Sequence, residues 1–445
     1  MDKEPIIRVG ICQGCRTLEG RFNGAFHAGG EQPVSGPFAF RTESDGIIAA
    51  GGGIPNVPRR EIRFTGGAYA TFTVSGITIG AQFHWERQQE QSFKGDLTLI
   101  AHDDGTLTAI NEVPLETYLA SVISSEMKAT APVEFLKAHA VTSRSWLAAM
   151  LEHGRKSVKY NAARTGTSGT DGEIIRWYDR EEHALFDVCA DDHCQRYHGL
   201  DSVTEAATAA VQATRGQFIV YDDEISDARY YKACGGLTEN FETAWDDTPR
   251  PYLNSVADAA TAHPPIRTEE EARRWILSSP DAWCNTTDRE FLRQILPAFD
   301  QETKDFFRWR VEYESRELEE ILREKSGIDF GILKNLIPLT RGPSGRISRL
   351  RIEGSKTTVT VGKELEIRRL LSRSHLLSSA FVVSSQAEGK AGSEGIPARF
   401  ILHGAGWGHG VGLCQIGAAV MAAKGFSAEA ILKHYFHGAE VKKLY

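Results

Sequence analysis

The chain has 445 residues, a formal net charge of −8, 41% hydrophobic residues and 25% charged ones. That balance belongs to a globular protein of about two or three folding units, not to a disordered or fibrous chain. It speaks against a nucleic-acid binder, which would carry a basic face, and the absence of a run of eighteen apolar residues speaks against a transmembrane helix.

The opening MDKEPIIRVG has neither a basic n-region nor a long apolar h-region, so no secretory signal is read there. Residues 1–105 form a mostly-β region, in which IIRVGI and YATFTVSGITIGAQFHW alternate β-branched and polar residues between glycine-rich turns. Cys12 and Cys15 make a lone C-x-x-C without a thioredoxin-like context and are read as incidental. The expected class is α+β: a mixed strand-rich core, a helical pair, and a charged, partly helical insert. The expected divisions are 1–105, a core part at 106–265, the insert at 266–334, and a second core part at 335–445.

The helical pair lies in VPLETYLASVISSEMKATAPVEFLKAHAVTSRSWLAAM, residues 113–150. Pro114 suits a first turn, and Leu115, Tyr118, Leu119, Val122 and Ile123 make one apolar stripe that Glu126 continues. Thr130 and Pro132 mark a second helix start, which puts Glu126 at the C-terminal end of the first. Burial and the negative end of the helix dipole both favour the neutral acid. Such a carboxyl group suits cleavage of an acetal C–O bond, whose leaving oxygen must be protonated. The plainer reading is a salt-bridged glutamate, and Arg144, on an apolar face of the second helix, would be its partner; alternatively Arg144 holds a substrate oxygen.

EEHALFDVCADDHCQRYHG brings His183, Cys189, His193 and Cys194 close in sequence, with His198 as a spare. Two thiolates and two imidazoles are the composition of a closed, structural zinc site. Free thiols and a Cys189–Cys194 disulfide stand as alternatives. Glu239, in GGLTEN, is a possible second carboxylate for a hydrolase or a polar loop residue.

HGAGWGHGVGLCQIGA, residues 403–418, has glycine at every second position from Gly404 to Gly412. Read as a strand, it bares one face and puts Ala405, Trp407, His409 and Val411 on the other. A bare face admits another backbone or a sugar ring. Trp407 is a candidate stacking surface, His409 a candidate to orient Glu126 or a saccharide hydroxyl, and Gln415 a candidate donor. The spacing fits no phosphate-binding loop.

VPLETYLASVISSEM, LKAHAVTSRSW and GWGHGVGLCQIGA, in this order, resemble the core motifs of the SpoIID/LytB family, the stage II sporulation protein D lytic transglycosylases and the related amidase enhancers. ATRGQFIVYDD, YYKACGGLTENFETAW and ILKHYFHGAEV resemble the family as well, so the likeness covers about residues 106–260 and 335–445. The resemblance implies cleavage of peptide-stripped peptidoglycan glycan strands between N-acetylmuramic acid and N-acetylglucosamine, leaving 1,6-anhydro ends. It implies Glu126 as the single acid and then base, Arg144 as the motif arginine, and Tyr231 and Lys232 near the glycine turn as substrate-binding residues. It also implies a zinc site at the histidine–cysteine cluster, a cell-envelope or periplasmic location, and a cell-wall amidase as partner if the chain acts as an activator instead.

Overall fold

The computed structural model describes residues 3–29, 32–43, 46–51, 54, 59–79, 87–160, 166–168, 172–177, 183–191, 193–387 and 396–445. Strands fill the first part of the chain, because alternating residues bury one face of each. In Thr71–Ile79, Phe72 and Val74 are fully buried while the residues between them are not. Phe22, Phe26, Phe38, Phe40, Phe64, Phe72 and Phe93 fill the interior of this ten-stranded sheet, with Phe22 and Phe26 centroids 4.6 Å apart. Cys12 and Cys15, in its first strand Ile6–Cys15, are joined as a disulfide.

Ile6–Cys15 is flanked by the antiparallel Leu107–Pro114 and, in parallel, by the short Val188–Cys189. The sheet therefore holds both the strand that enters the helical pair and one edge of the histidine–cysteine cluster. Pro114, with φ −58°, turns that strand into α1 (Leu115–Glu126). Ten of the twelve residues of α1 are buried, more than one stripe, so this helix runs through the interior rather than along the surface. Pro132 separates it from α2 (Val133–Tyr160), which packs on α1, on α3 (Glu205–Ala213) and on the closing helices Gln415–Ala423 and Ala428–Tyr435.

A second core lies between Trp309 and Leu402. It joins the amphipathic helix Ser315–Ser326, through Leu318, Ile321 and Leu322, to the strands that follow. The division expected at 334/335 thus falls inside one packed unit: the polar face of this helix gives the sequence its charged character while its apolar face belongs to the β core. The fold is mixed α+β, as the sequence indicates.

Candidate active site

Glu126 ends α1 and is 8% exposed. Its Oε1 accepts from the Arg196 backbone N–H at 3.3 Å and from the Tyr230 hydroxyl at 3.2 Å, and Gln415 Nε2 lies 3.5 Å from its Oε2. Gln415 also lies 3.3 Å from His139 Nε2. The Lys232 ammonium donates to the Glu126 backbone carbonyl at 3.3 Å. Lys232 and Arg196 both pair with Asp300, at 2.8 and 3.3 Å, and Asp300 is itself 3% exposed. The site is a buried carboxylate ringed by a tyrosine, an amide, a histidine and two cations, with a second carboxylate behind the cations.

This ring corrects the expected protonation of Glu126. Burial pushes its pKa up, but the opposing charges of Arg196, Lys232 and His139 hold it below the ordinary value of 4.5. The magnitudes explain the sign: a helix end contributes about 0.3–1 kcal/mol, whereas a nearby cation lowers a carboxyl pKa by roughly 1–3 units. His139 is pushed down by burial to about 4, so it is neutral at neutral pH and the two permanent cations decide the outcome.

The residues named from sequence divide between this site and its surroundings. Glu126, Lys232 and Gln415 converge. Tyr231 does not: it faces away, with its ring 5.2 Å from that of His409, while its neighbour Tyr230 reaches Glu126. The two lie in one short strand, Tyr230–Tyr231, where successive side chains point to opposite faces, so a one-residue offset exchanges the faces. Arg144 also stands elsewhere. It is fully buried in a bidentate pair with Glu116 at the other end of α1, at 3.0 and 2.7 Å, so it neither binds Glu126 nor faces a ligand. Glu239 is buried in a junction, accepting from Asn240, Thr243 and Ser344.

The glycine segment is a strand only to Ala405. Beyond it Gly406, Gly408, Gly410 and Gly412 all take positive φ, with isolated bridges at Trp407 and Val411. Their missing side chains admit protein, not a sugar. A Cβ on Gly412 would lie 2.2 Å from the Arg229 carbonyl oxygen, and one on Gly410 would lie 2.4 Å from the Arg346 guanidinium carbon. Gly412→Ala should therefore cost roughly 3 kcal/mol or more, combining left-handed strain with overpacking, read as a lowered unfolding midpoint. His409 has both nitrogens engaged with backbone, Nε2 donating to Tyr230 O at 3.0 Å and Nδ1 accepting from Val411 N–H at 3.1 Å. It fixes the strand that carries Tyr230 rather than touching Glu126. Trp407 is half-buried, with the Lys232 ammonium 5.9 Å from its ring centre.

His183, Cys189, His193 and Cys194 bring their ligand atoms within 4.8 Å of one another. His183 Nε2 lies 3.4 Å from Cys194 Sγ, and His193 Nδ1 lies 3.5 Å from the same sulfur and 3.9 Å from Cys189 Sγ. Bond lengths of about 2.3 Å to sulfur and 2.0–2.1 Å to nitrogen around a tetrahedral zinc imply sulfur–nitrogen gaps of about 3.5 Å. The donor set fits that ion. Cys189 and Cys194 are not joined as a disulfide, and Cys194 lies two residues before Arg196 in the chain.

Asp300, Arg196, Tyr230 and His139 were not picked out from the sequence. Tyr230 and His139 lie within the resembling motifs, next to or between residues already noted. Arg196 acts through both its backbone N–H and its charge, and Asp300 lies in the region read as insert, so neither carries a local signal.

Residues 103–221 match the family described as Stage II sporulation protein, and residues 239–412 match a domain of unknown function, DUF8618. The chain is 24% identical over 336 residues to stage II sporulation protein D of Bacillus amyloliquefaciens, covering 75% of this chain and 76% of that one. It is 23% identical over 337 residues to the Bacillus subtilis (strain 168) protein of the same name, covering 75% and 76%. It is 22% identical over 342 residues to the Bacillus subtilis (strain 168) amidase enhancer, covering 72% of this chain but 39% of the relative. The motifs around Glu126 and Gln415 are brought together in one site, and with a Stage II sporulation protein match at residues 103–221 the chain is similar to the stage II sporulation protein D and amidase-enhancer relatives over about three quarters of its length.

Proposed function

We propose that the protein is a lytic transglycosylase of the cell envelope, cutting peptide-stripped glycan strands between N-acetylmuramic acid and N-acetylglucosamine. The observation that carries this reading is the buried carboxyl group of Glu126, held by Tyr230, Gln415 and the Arg196 N–H, while the neighbouring carboxylate, Asp300, is taken up by Lys232 and Arg196. A hydrolase needs two carboxyl groups, at roughly 5–5.5 or 6.5–9.5 Å, and a positioned water. An intramolecular transfer needs one. Protonated Glu126 gives its proton to the bridging oxygen, and the C1–O bond breaks with its electron pair leaving on that oxygen. The C6 hydroxyl of the muramic residue then attacks C1, and its proton passes to the Glu126 carboxylate, which restores the acid.

Arg196 and Lys232 stabilise the carboxylate formed in the first half-step, which makes Glu126 a strong but sparsely protonated donor. Activity should therefore fall as pH rises through the lowered pKa of Glu126. Lys232→Met should raise that pKa and move the alkaline limb upward by roughly 1–3 units; an unmoved limb in a pH–rate profile would remove Lys232 from this role. The ring of Trp407 offers a sugar face a stacking surface beside Lys232. Zinc held by His183, Cys189, His193 and Cys194 would brace the loop that delivers the Arg196 N–H.

A second reading has one feature in its favour: the charges of Arg196 and Lys232 hold the Glu126 carboxyl group below its ordinary pKa against the push of burial, as in a structural network. On it the protein is a non-catalytic glycan binder that activates a cell-wall amidase. Incubating the chain and Glu126→Gln with peptide-free glycan strands, followed by mass spectrometry, separates the two. Anhydro ends from the parent chain alone support the transglycosylase, reducing ends mean hydrolysis, and binding without cleavage supports the activator.

A further inference from the structure

We propose that Cys234, Cys284, Cys414 and Asp258 form a second, structural zinc centre directly behind the active site. Their sequence separations of 24, 26 and 130 residues give no local motif, yet their ligand atoms all lie within 4.8 Å of one another. Cys234 Sγ and Cys284 Sγ are 3.4 Å apart. Thiolates at about 2.3 Å from a tetrahedral zinc sit about 3.8 Å from each other, so the spacing is that of a single ion. A disulfide would bring two sulfurs to about 2.0 Å and leave the third thiol and the carboxylate unused.

Burial strengthens the case. Asp258, Cys284 and Cys414 are 0% exposed and Cys234 is 2% exposed. Among the described residues no cation pairs with Asp258. Its Oδ1 accepts from the Tyr435 hydroxyl at 2.5 Å and its Oδ2 from the Cys284 N–H at 2.9 Å. A buried carboxylate facing three thiols without a counter-charge is costly, and a divalent ion supplies the missing charge. Backbone N–H groups already point at sulfur, Gly236 to Cys234 Sγ at 3.2 Å and Cys234 to Cys414 Sγ at 3.3 Å, as ligating thiolates require of their surroundings. Zinc with three thiolates and one carboxylate leaves two negative charges. Two guanidiniums stand beside it, Arg346 on the Cys234 carbonyl and Arg308 on the Gly235 carbonyl, at 3.3 and 3.0 Å. A mainly thiolate, four-coordinate, protein-filled set selects zinc in a structural role.

The centre ties together four segments, and two of them carry the active site. Cys414 precedes Gln415, and Cys234 follows Lys232 by two residues. Its presence does not depend on the glycan-cleaving reading.

Untagged full-length chain carrying His183→Ala and Cys194→Ser, which disable the other cluster, should retain one zinc per molecule by elemental analysis. Adding Cys284→Ser should remove that equivalent, with Asp258→Asn as the shape-conserving alternative should the serine variant fail to fold. Cobalt exchanged into the doubly substituted chain should show strong thiolate-to-metal absorption. A metal-free, folded double variant, or a Cys234–Cys284 linked peptide found by mapping under non-reducing conditions, would overturn the proposal.

Discussion

Glu126→Gln should keep the fold and lose glycan cleavage by roughly 10²–10⁴-fold, the usual contribution of a positioned acid–base group. The amide keeps the shape of the side chain and can still accept from the Arg196 N–H and the Tyr230 hydroxyl, so circular dichroism should be unchanged, while the unfolding midpoint near neutral pH should fall by the share that the ionised carboxyl group contributes. The acid sensitivity of the fold should change as well. A carboxyl group whose folded pKa lies below 4.5 stabilises the fold above its unfolded pKa, and that stability is lost as pH falls through the folded value. The glutamine variant should lack this part of the acid-unfolding transition, leaving the share due to Asp300, which Lys232 and Arg196 hold below 3.8 against the upward push of burial. Retained cleavage in Glu126→Gln would reassign the proton donor, and Asp300, the carboxylate on the same two cations, would be the group to substitute next.

Arg144→Met should be the most destabilising single change outside the hydrophobic core, at about 3–5 kcal/mol, because it strands a buried charge. Glu116 is 2% exposed and also accepts from the Tyr445 hydroxyl at 2.5 Å and the Gly216 N–H at 3.3 Å. Arg144 in turn donates to the carbonyls of Gln217 and Val211, at 3.2 and 3.3 Å. This clamp fastens α1 to α2, α3 and the C-terminal strand Glu440–Lys443, so it sets the position of the helix whose far end carries Glu126. The double variant Arg144→Met with Glu116→Leu should recover part of the loss, since a hydrophobic replacement of the whole pair leaves no unpaired buried charge. A denaturant-midpoint cycle over the two single variants and the double reads this coupling. Additive losses would show that the pair carries no energy of its own.

The linear chain already displayed the strand alternation of the first hundred residues, the proline-delimited helical pair and the burial of Glu126 at a helix end, because each follows from spacing within one element. The histidine–cysteine cluster was also legible, since its ligands fall within twelve residues. What failed were statements about which side of an element faces which neighbour. Tyr230, not Tyr231, meets Glu126 because the strand register sets the face. Arg144 left the site because Glu116, in the first turn of α1, is its partner.

Local periodicity and short motifs were enough to read the α+β class, the family likeness and the position of the acid at the end of its helix. The charge of that acid, the part played by Asp300, the packing purpose of the glycines and the meeting of three distant cysteines with Asp258 emerged with the folded arrangement. Each of these depends on groups far apart in the chain coming within a few ångströms, where burial and Coulomb energy outweigh the preferences of any single element.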